Sequence, residues 1–226
     1  SRGKRRIGPS FHREGARHFY TDVAGVRDKN RHAVDEVLDV VGHLDLKRQK
    51  PEFPVRFPPM AVTDKRPRIA LVPMSRWTSK NWPPECFAEV IRFLRRYREA
   101  SFFLLGGPGD REVCDKIESD AGGGVVNKAG ELSLVETGSL LGNMDLLISN
   151  DSGPVHMAVA VGTPTLVVFG PTDPSRTGPY GDKHRVVTAN LDCQPCFSRT
   201  CRRAGIPCLS GVTPERVGEV ALEMLK

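Results

Sequence analysis

Short apolar runs alternate with stretches of helical periodicity along residues 69–225, and this alternation predicts strand after helix after strand. Strands are expected at residues 69–73, 102–105, 125–127, 146–149, 165–169 and 185–188. Between them Phe87, Val90, Ile91 and Leu94 line one face of a helix over residues 84–97, and a second helix is expected over 111–119. Ser133 with Glu136 three residues on spells a capping box for a helix ending near 141, and a further helix spans 155–161. Thr213, Pro214 and Glu215 open a closing helix with Val217, Val220, Ala221, Met224 and Leu225 on its apolar side. Apolar strands alternating with helices imply an α/β fold, a doubly wound parallel sheet covered on both faces.

The first third of the chain reads differently. Its pattern is mixed apart from a helix over residues 32–44, where Val34, Val37, Leu38 and Val41 recur at helical spacing. Pro51, Pro54, Pro58, Pro59 and Pro67 then forbid both helix and central strand, so an extended linker is expected there. The division is residues 1–46 as the tail of a first domain, 47–68 as linker and 69–226 as the main domain. The chain does not begin with Met, and it is read as a piece of a longer protein.

A hydrophobic content of 39% suffices for a sizeable core. No apolar run approaches the ~18 residues of a membrane span, and the basic start leads to no apolar stretch of a signal peptide. A cytoplasmic protein is expected. The 33 Lys and Arg exceed the 27 Asp and Glu, a net charge of +6 that favours anionic partners. The excess sits mainly at residues 2–6, 47–68 and 199–203, with no aromatics interleaved at the spacing of a nucleic-acid module, so nucleic acid is not an expected partner whereas an anionic membrane surface fits.

The chemistry is concentrated at strand ends. After the run at 146–149, Asn150, Asp151, Ser152, Gly153 and Pro154 lead into a helix whose first turn carries His156. Pro suits the first helical turn, and the free N–H groups there, with the positive end of the helix dipole, form a site for a phosphate or diphosphate. In a doubly wound sheet ligands lie at the carboxyl ends of the strands. Those ends carry Ser75, Arg76 and Lys80, then Gly106 to Asp110, then Asn150 to His156, then Gly170 to Asp173. Backbone N–H groups, a lysine, an imidazole and carboxylates suit a nucleoside diphosphate and its ribose. Asp151 has a second reading as a helix N-cap, and Thr172 and Asp173 as turn residues. Cys193, Cys196, Cys201 and Cys208 have one zinc-like spacing, but the second half matches no common zinc module, and no metal site is assigned.

On these residues the chain resembles the ADP-heptose:lipopolysaccharide heptosyltransferase family, inverting GT-B glycosyltransferases built from two Rossmann-like domains. The resemblance is most specific at Lys80-Asn81-Trp82-Pro83, at Asp151 to His156 with Gly162-Thr163-Pro164, at Phe169 to Pro174 continuing to Gly181, and at Cys193-Gln194-Pro195-Cys196. It implies that residues 69–226 are the nucleotide-sugar donor domain, preceded by the remnant of an acceptor domain. It implies further that Lys80 contacts the donor phosphates, that Asp151, Ser152, Gly153 and His156 meet the diphosphate and sugar, and that Ser75 lies near the phosphates. Asp110, with Glu112 as rival, is placed near the ribose, and Leu132 near adenine.

The implied reaction transfers heptose from ADP-heptose to the lipopolysaccharide inner core with inversion, needing no metal and no cofactor. The family's catalytic aspartate lies near the start of its first domain, and no residue here matches it. No base is assigned, and neither Asp22 nor Asp35 takes that role. Two other readings stay open: another nucleotide-sugar transferase or epimerase of the same architecture, and a non-catalytic nucleotide- or zinc-binding module.

Overall fold

The computed structural model describes residues 3–11, 15–28 and 30–226. Six parallel strands form its sheet: β3 (Arg68–Val72), β4 (Ser101–Leu104), β5 (Val126–Asn127), β6 (Leu146–Asn150), β7 (Thr165–Val168) and β8 (Arg185–Val187). Their order is β5-β4-β3-β6-β7-β8, so the chain winds outward from β3 in one direction, returns to its centre, and winds outward in the other. The reversal falls between β3 and β6, where Ile69 lies opposite Leu146 and Val72 opposite Ser149.

Side chains alternate across the pleat, and both faces are apolar. Ile69 and Leu71 pack on one side with α2 (Pro84–Tyr97), α3 (Arg111–Asp120) and α8 (Pro214–Met224). Ala70 and Val72 pack on the other with α4 (Leu134–Leu141) and α5 (Gly153–Ala160). The helices begin where their residues allow it. Pro84 opens α2, and in α4 Ser133 Oγ accepts from Glu136 N while the Glu136 carboxylate accepts from Ser133 N at 2.8 Å.

The N-terminal part holds two elements that the mixed pattern did not announce. These are the three-residue parallel strands β1 (Ile7–Pro9) and β2 (Asp22–Ala24). Three residues are too few for an alternation to register. They pack on α1 (Ala33–His43), and no helix or strand occupies residues 44–67. Two one-turn helices were also unread, α6 (Pro174–Thr177), capped by Asp173 through Ser175 N, and α7 (Pro207–Ser210).

Contacts between α1 and the α6 region join the N-terminal part to the rest. Arg176 Nη2 donates to Glu36 Oε2 at 2.6 Å. The His32 ring spans both parts: Nδ1 accepts from Val34 N at 3.2 Å, which leaves Nε2 to donate to the Gly178 carbonyl at 3.0 Å. Tyr180 Oη donates to Asp35 Oδ1 at 3.0 Å. Asp35 is thus occupied at this junction, and Asp22 pairs with Arg5.

Candidate functional site

The loops after β3 and β6 meet at the sheet's point of reversal, the place where such sheets open a crevice. Asn150, fully buried at the end of β6, bridges them. Its Nδ2 donates to the Pro73 carbonyl at 2.5 Å and its Oδ1 accepts from Trp82 N at 3.1 Å. Trp82 is itself buried and donates from Nε1 to the Val212 carbonyl at 3.0 Å. Within this brace, Ser75 Oγ donates to the Asp151 carbonyl at 3.0 Å and Lys80 Nζ lies 2.5 Å from Asp151 Oδ2. Thr172 Oγ1, from the loop after β7, donates to the same oxygen at 2.6 Å.

Asp151 is therefore not the cap of α5. Ser152 occupies the N-cap position and forms no side-chain cap bond; its hydroxyl lies 3.1 Å from Ser149 Oγ. A Cβ added to Gly153 would meet no protein atom within 4 Å, so packing does not demand glycine at this helix start. The His156 ring is open to the cleft, yet the protein crowding it strips enough water to lower its pKa below the usual histidine value. Asp151 opposes that shift, and His32 and Lys80 add to it.

Two cavities flank this centre. The first, about 680 Å³, is lined by Lys80, Asp151, His156 and Thr172 on one side and by Phe11, Arg27 and Asn30 of the N-terminal part on the other. The second, about 510 Å³, is lined by Leu105, Gly106, Asp110, Leu132 and Leu134. Ser75, Arg76, Ser152 and Gly153 border both. All eight residues singled out in the sequence, Ser75, Lys80, Asp110, Leu132, Asp151, Ser152, Gly153 and His156, thus line one connected crevice, and the rival Glu112 lines neither cavity. Asp110 also shapes its own loop, because Oδ2 accepts from Gly107 N at 2.8 Å.

Residues 9–206 match the family model described as glycosyltransferase family 9 (heptosyltransferase). The chain belongs to this family. Lipooligosaccharide heptosyltransferase 2 of Campylobacter jejuni is 27% identical over 201 residues, covering 85% of this chain and 61% of that protein. A family 9 glycosyl transferase from Veillonella parvula superposes with a TM-score of 0.76 at 24% identity, over 92% of this chain and 64% of that one. The Escherichia coli heptosyltransferase WaaC, solved with ADP, superposes with a TM-score of 0.69 at 24% identity, over 92% of this chain and 61% of that one. The chain thus spans less than two thirds of the curated relatives it matches first. The six-stranded parallel sheet is the GT-B arrangement of these glycosyltransferases.

Several lining residues of this family 9 site had no signal in the sequence. Trp77 lies beneath two cations, with Lys80 Nζ 4.7 Å and the Arg199 guanidinium 4.9 Å from its ring centre. Phe11, Arg27, Asn30 and Arg176 reach the cleft only through tertiary folding. Arg176 alone could have been suspected, from the polar loop already flagged at 170–174. The cysteines Cys193, Cys196 and Cys201 are exposed and Cys208 is buried; among the described residues no three metal-ligating side chains converge.

Proposed function

We propose that this chain carries the nucleotide-sugar donor site of an inverting heptosyltransferase that moves heptose from ADP-heptose to the lipopolysaccharide inner core. The observation that carries the reading is the pair of cavities sharing Ser75, Ser152 and Gly153 at the sheet reversal, one walled by Leu105, Asp110 and Leu132 and one bearing Lys80 and His156. A nucleoside fits the first kind of wall, with Leu132 beside adenine and Asp110 beside the ribose. A diphosphate fits the shared border, and the sugar lies beyond it in the larger cavity. The family membership and the ADP bound by the WaaC relative support the same assignment.

In this reading Lys80 contacts the diphosphate as a point charge, and the N–H groups at the start of α5 contribute the positive end of their dipole. The neutral imidazole of His156 donates one hydrogen bond to a phosphate oxygen. These groups stabilise the charge that builds on ADP as the anomeric C–O bond breaks and the acceptor hydroxyl forms a new bond from the opposite face. The acceptor's proton passes to a base. The lining carboxylates of the larger cavity are Asp151 and Asp173; the first is held by Lys80 and Thr172, and the second caps α6 through Ser175. We therefore assign the base to neither.

Residues 69–226 form the donor domain in this proposal, 1–46 the end of an acceptor domain and 47–68 the linker. The protein works in the cytoplasm, at the inner face of the inner membrane, where basic side chains meet an anionic surface. None of the described helices is long and apolar enough to cross a membrane. Calorimetry with ADP and ADP-heptose tests the donor site, with binding expected; a folded sample that binds neither overturns it. Analysis of the sugar product made by the protein separates heptose transfer from an epimerase or another transferase.

A further inference from the structure

Glu36 and Arg176 form the most deeply buried ion pair among the described residues, with side chains 1% and 7% exposed. Each has a second task. Glu36 Oε1 accepts from Asp28 N at 3.3 Å, and Arg176 Nη1 donates to the Asp28 carbonyl at 3.3 Å. The Arg176 guanidinium also stacks 3.8 Å from the ring centre of Phe11. One side chain of α6 thus grips the helix α1, the turn before it and the loop after β1. Those are the segments that bring Phe11, Arg27 and Asn30 to the far wall of the larger cavity.

A buried pair of this kind is a weak source of net stability, since desolvation offsets most of the attraction, whereas it fixes one geometry firmly. The geometry fixed here is connected to the site. Asp151 accepts from Thr172, Thr172 precedes the α6 cap Asp173, and Arg176 lies in the single turn that this cap begins. A lysine could supply the charge but not the two-directional fork and the stacking plane.

We infer that Arg176 is a positioning residue: it holds the segment around Asp28 and Glu36 against the loop after β7 and so sets the far wall of the sugar-side cavity. The ligand consequence rests on the donor-site reading above; the mechanical consequence does not. Without Arg176 the contacts of Ser75, Asp110, Leu132 and Ser152 in the nucleoside-side cavity stay in place, while the wall beyond the diphosphate loosens.

Hydrogen exchange on the 226-residue chain, with calorimetry on the same samples, tests this. In R176A, peptides covering residues 27–43 should exchange about tenfold faster while β3 and β6 keep their protection, with R176K intermediate and the E36Q/R176Q pair, which leaves no buried charge unpaired, keeping the same protection in β3 and β6. ADP affinity in R176A should move by less than about threefold, whereas ADP-heptose affinity should fall about tenfold. Unchanged exchange at 27–43 in R176A, or loss of protection in β3 and β6 together with 27–43 in both R176A and E36Q/R176Q, overturns the inference. Equal losses for ADP and ADP-heptose overturn it as well. A wild-type chain that binds no ADP refutes the donor reading instead, and the exchange measurement then decides the role of Arg176 alone.

Discussion

Lys80 and Asp151 meet across the sheet reversal, with Nζ 2.5 Å from Oδ2, although 71 residues separate them in sequence. The pair is largely shielded, at 16% and 9% side-chain exposure, and Thr172 completes the carboxylate's shell from a third loop. The lysine lines the crevice with its position already fixed, so the diphosphate proposed above would need little further ordering to bind.

Replacing Lys80 by Met should therefore weaken ADP binding about ten- to hundredfold, the worth of one charge-assisted contact. The fold should survive, because Thr172 still donates to Asp151. Calorimetry at fixed ionic strength checks the first point and circular dichroism the second. Unchanged affinity would remove Lys80 from the site.

Acidity provides a second handle through His156. Burial lowers its pKa, so the imidazole is neutral at pH 7, and an anion beside it favours the protonated form. A sugar diphosphate diester, which has no ionisation of its own near neutrality, should bind more tightly as pH falls from 7 towards the histidine's lowered value, taking up protons as it does so. Calorimetry in two buffers of different ionisation enthalpy measures that uptake, and its absence in H156A assigns it. For stability the sign is opposite. A histidine with a depressed folded-state pKa contributes stability that is fully present above the unfolded value of 6.5 and is lost as pH falls through the folded one. The ligand-free chain should lose stability on acidification, and H156A should lose less. A pH-independent affinity would contradict a role for His156 in anion binding.

Asn150→Ala removes the two hydrogen bonds that tie the β3 loop to β6 and leaves Trp82 N and the Pro73 carbonyl without that partner in a buried interior. Orphaned buried groups cost roughly 1 to 3 kcal/mol each, so a loss of about 2 to 6 kcal/mol is expected in urea unfolding. A midpoint equal to the wild type's would mean that Asn150 does not brace the crevice.

Asp110→Ala should act on the nucleoside side alone. It breaks the bond to Gly107 N that shapes the loop, and it removes the carboxylate that we propose lies beside the ribose. ADP affinity should fall by about tenfold while inorganic diphosphate binds as before. Equal losses for both ligands would show that Asp110 supports the whole crevice instead.

The main sheet was legible because its signals are local. Buried parallel strands are continuous apolar runs, the capping box of Ser133 and Glu136 lies within one turn, and Pro84 marks a helix start. Seven of the eight residues singled out, all but Leu132, were legible because a strand's end is a sequence position; Leu132 came from the family resemblance alone. The β1 and β2 pair was too short to show a period. Arg176 looked like any surface arginine, since only tertiary folding brings Glu36 to it across 140 residues. The second reading of Asp151, as a cap, fails because its neighbour Ser152 sits one residue closer to the helix, leaving the carboxylate to Lys80 and Thr172.

The reversal of strand order also divides the labour of recognition. The loop after β4 serves one cavity, the loop after β7 serves the other, and only the ends of β3 and β6 serve both. If the donor lies as proposed, mutational drift in one outer loop can retune the preferred base while the opposite loop retunes the preferred sugar, each without disturbing the other. Such a scaffold diversifies one half of its donor at a time.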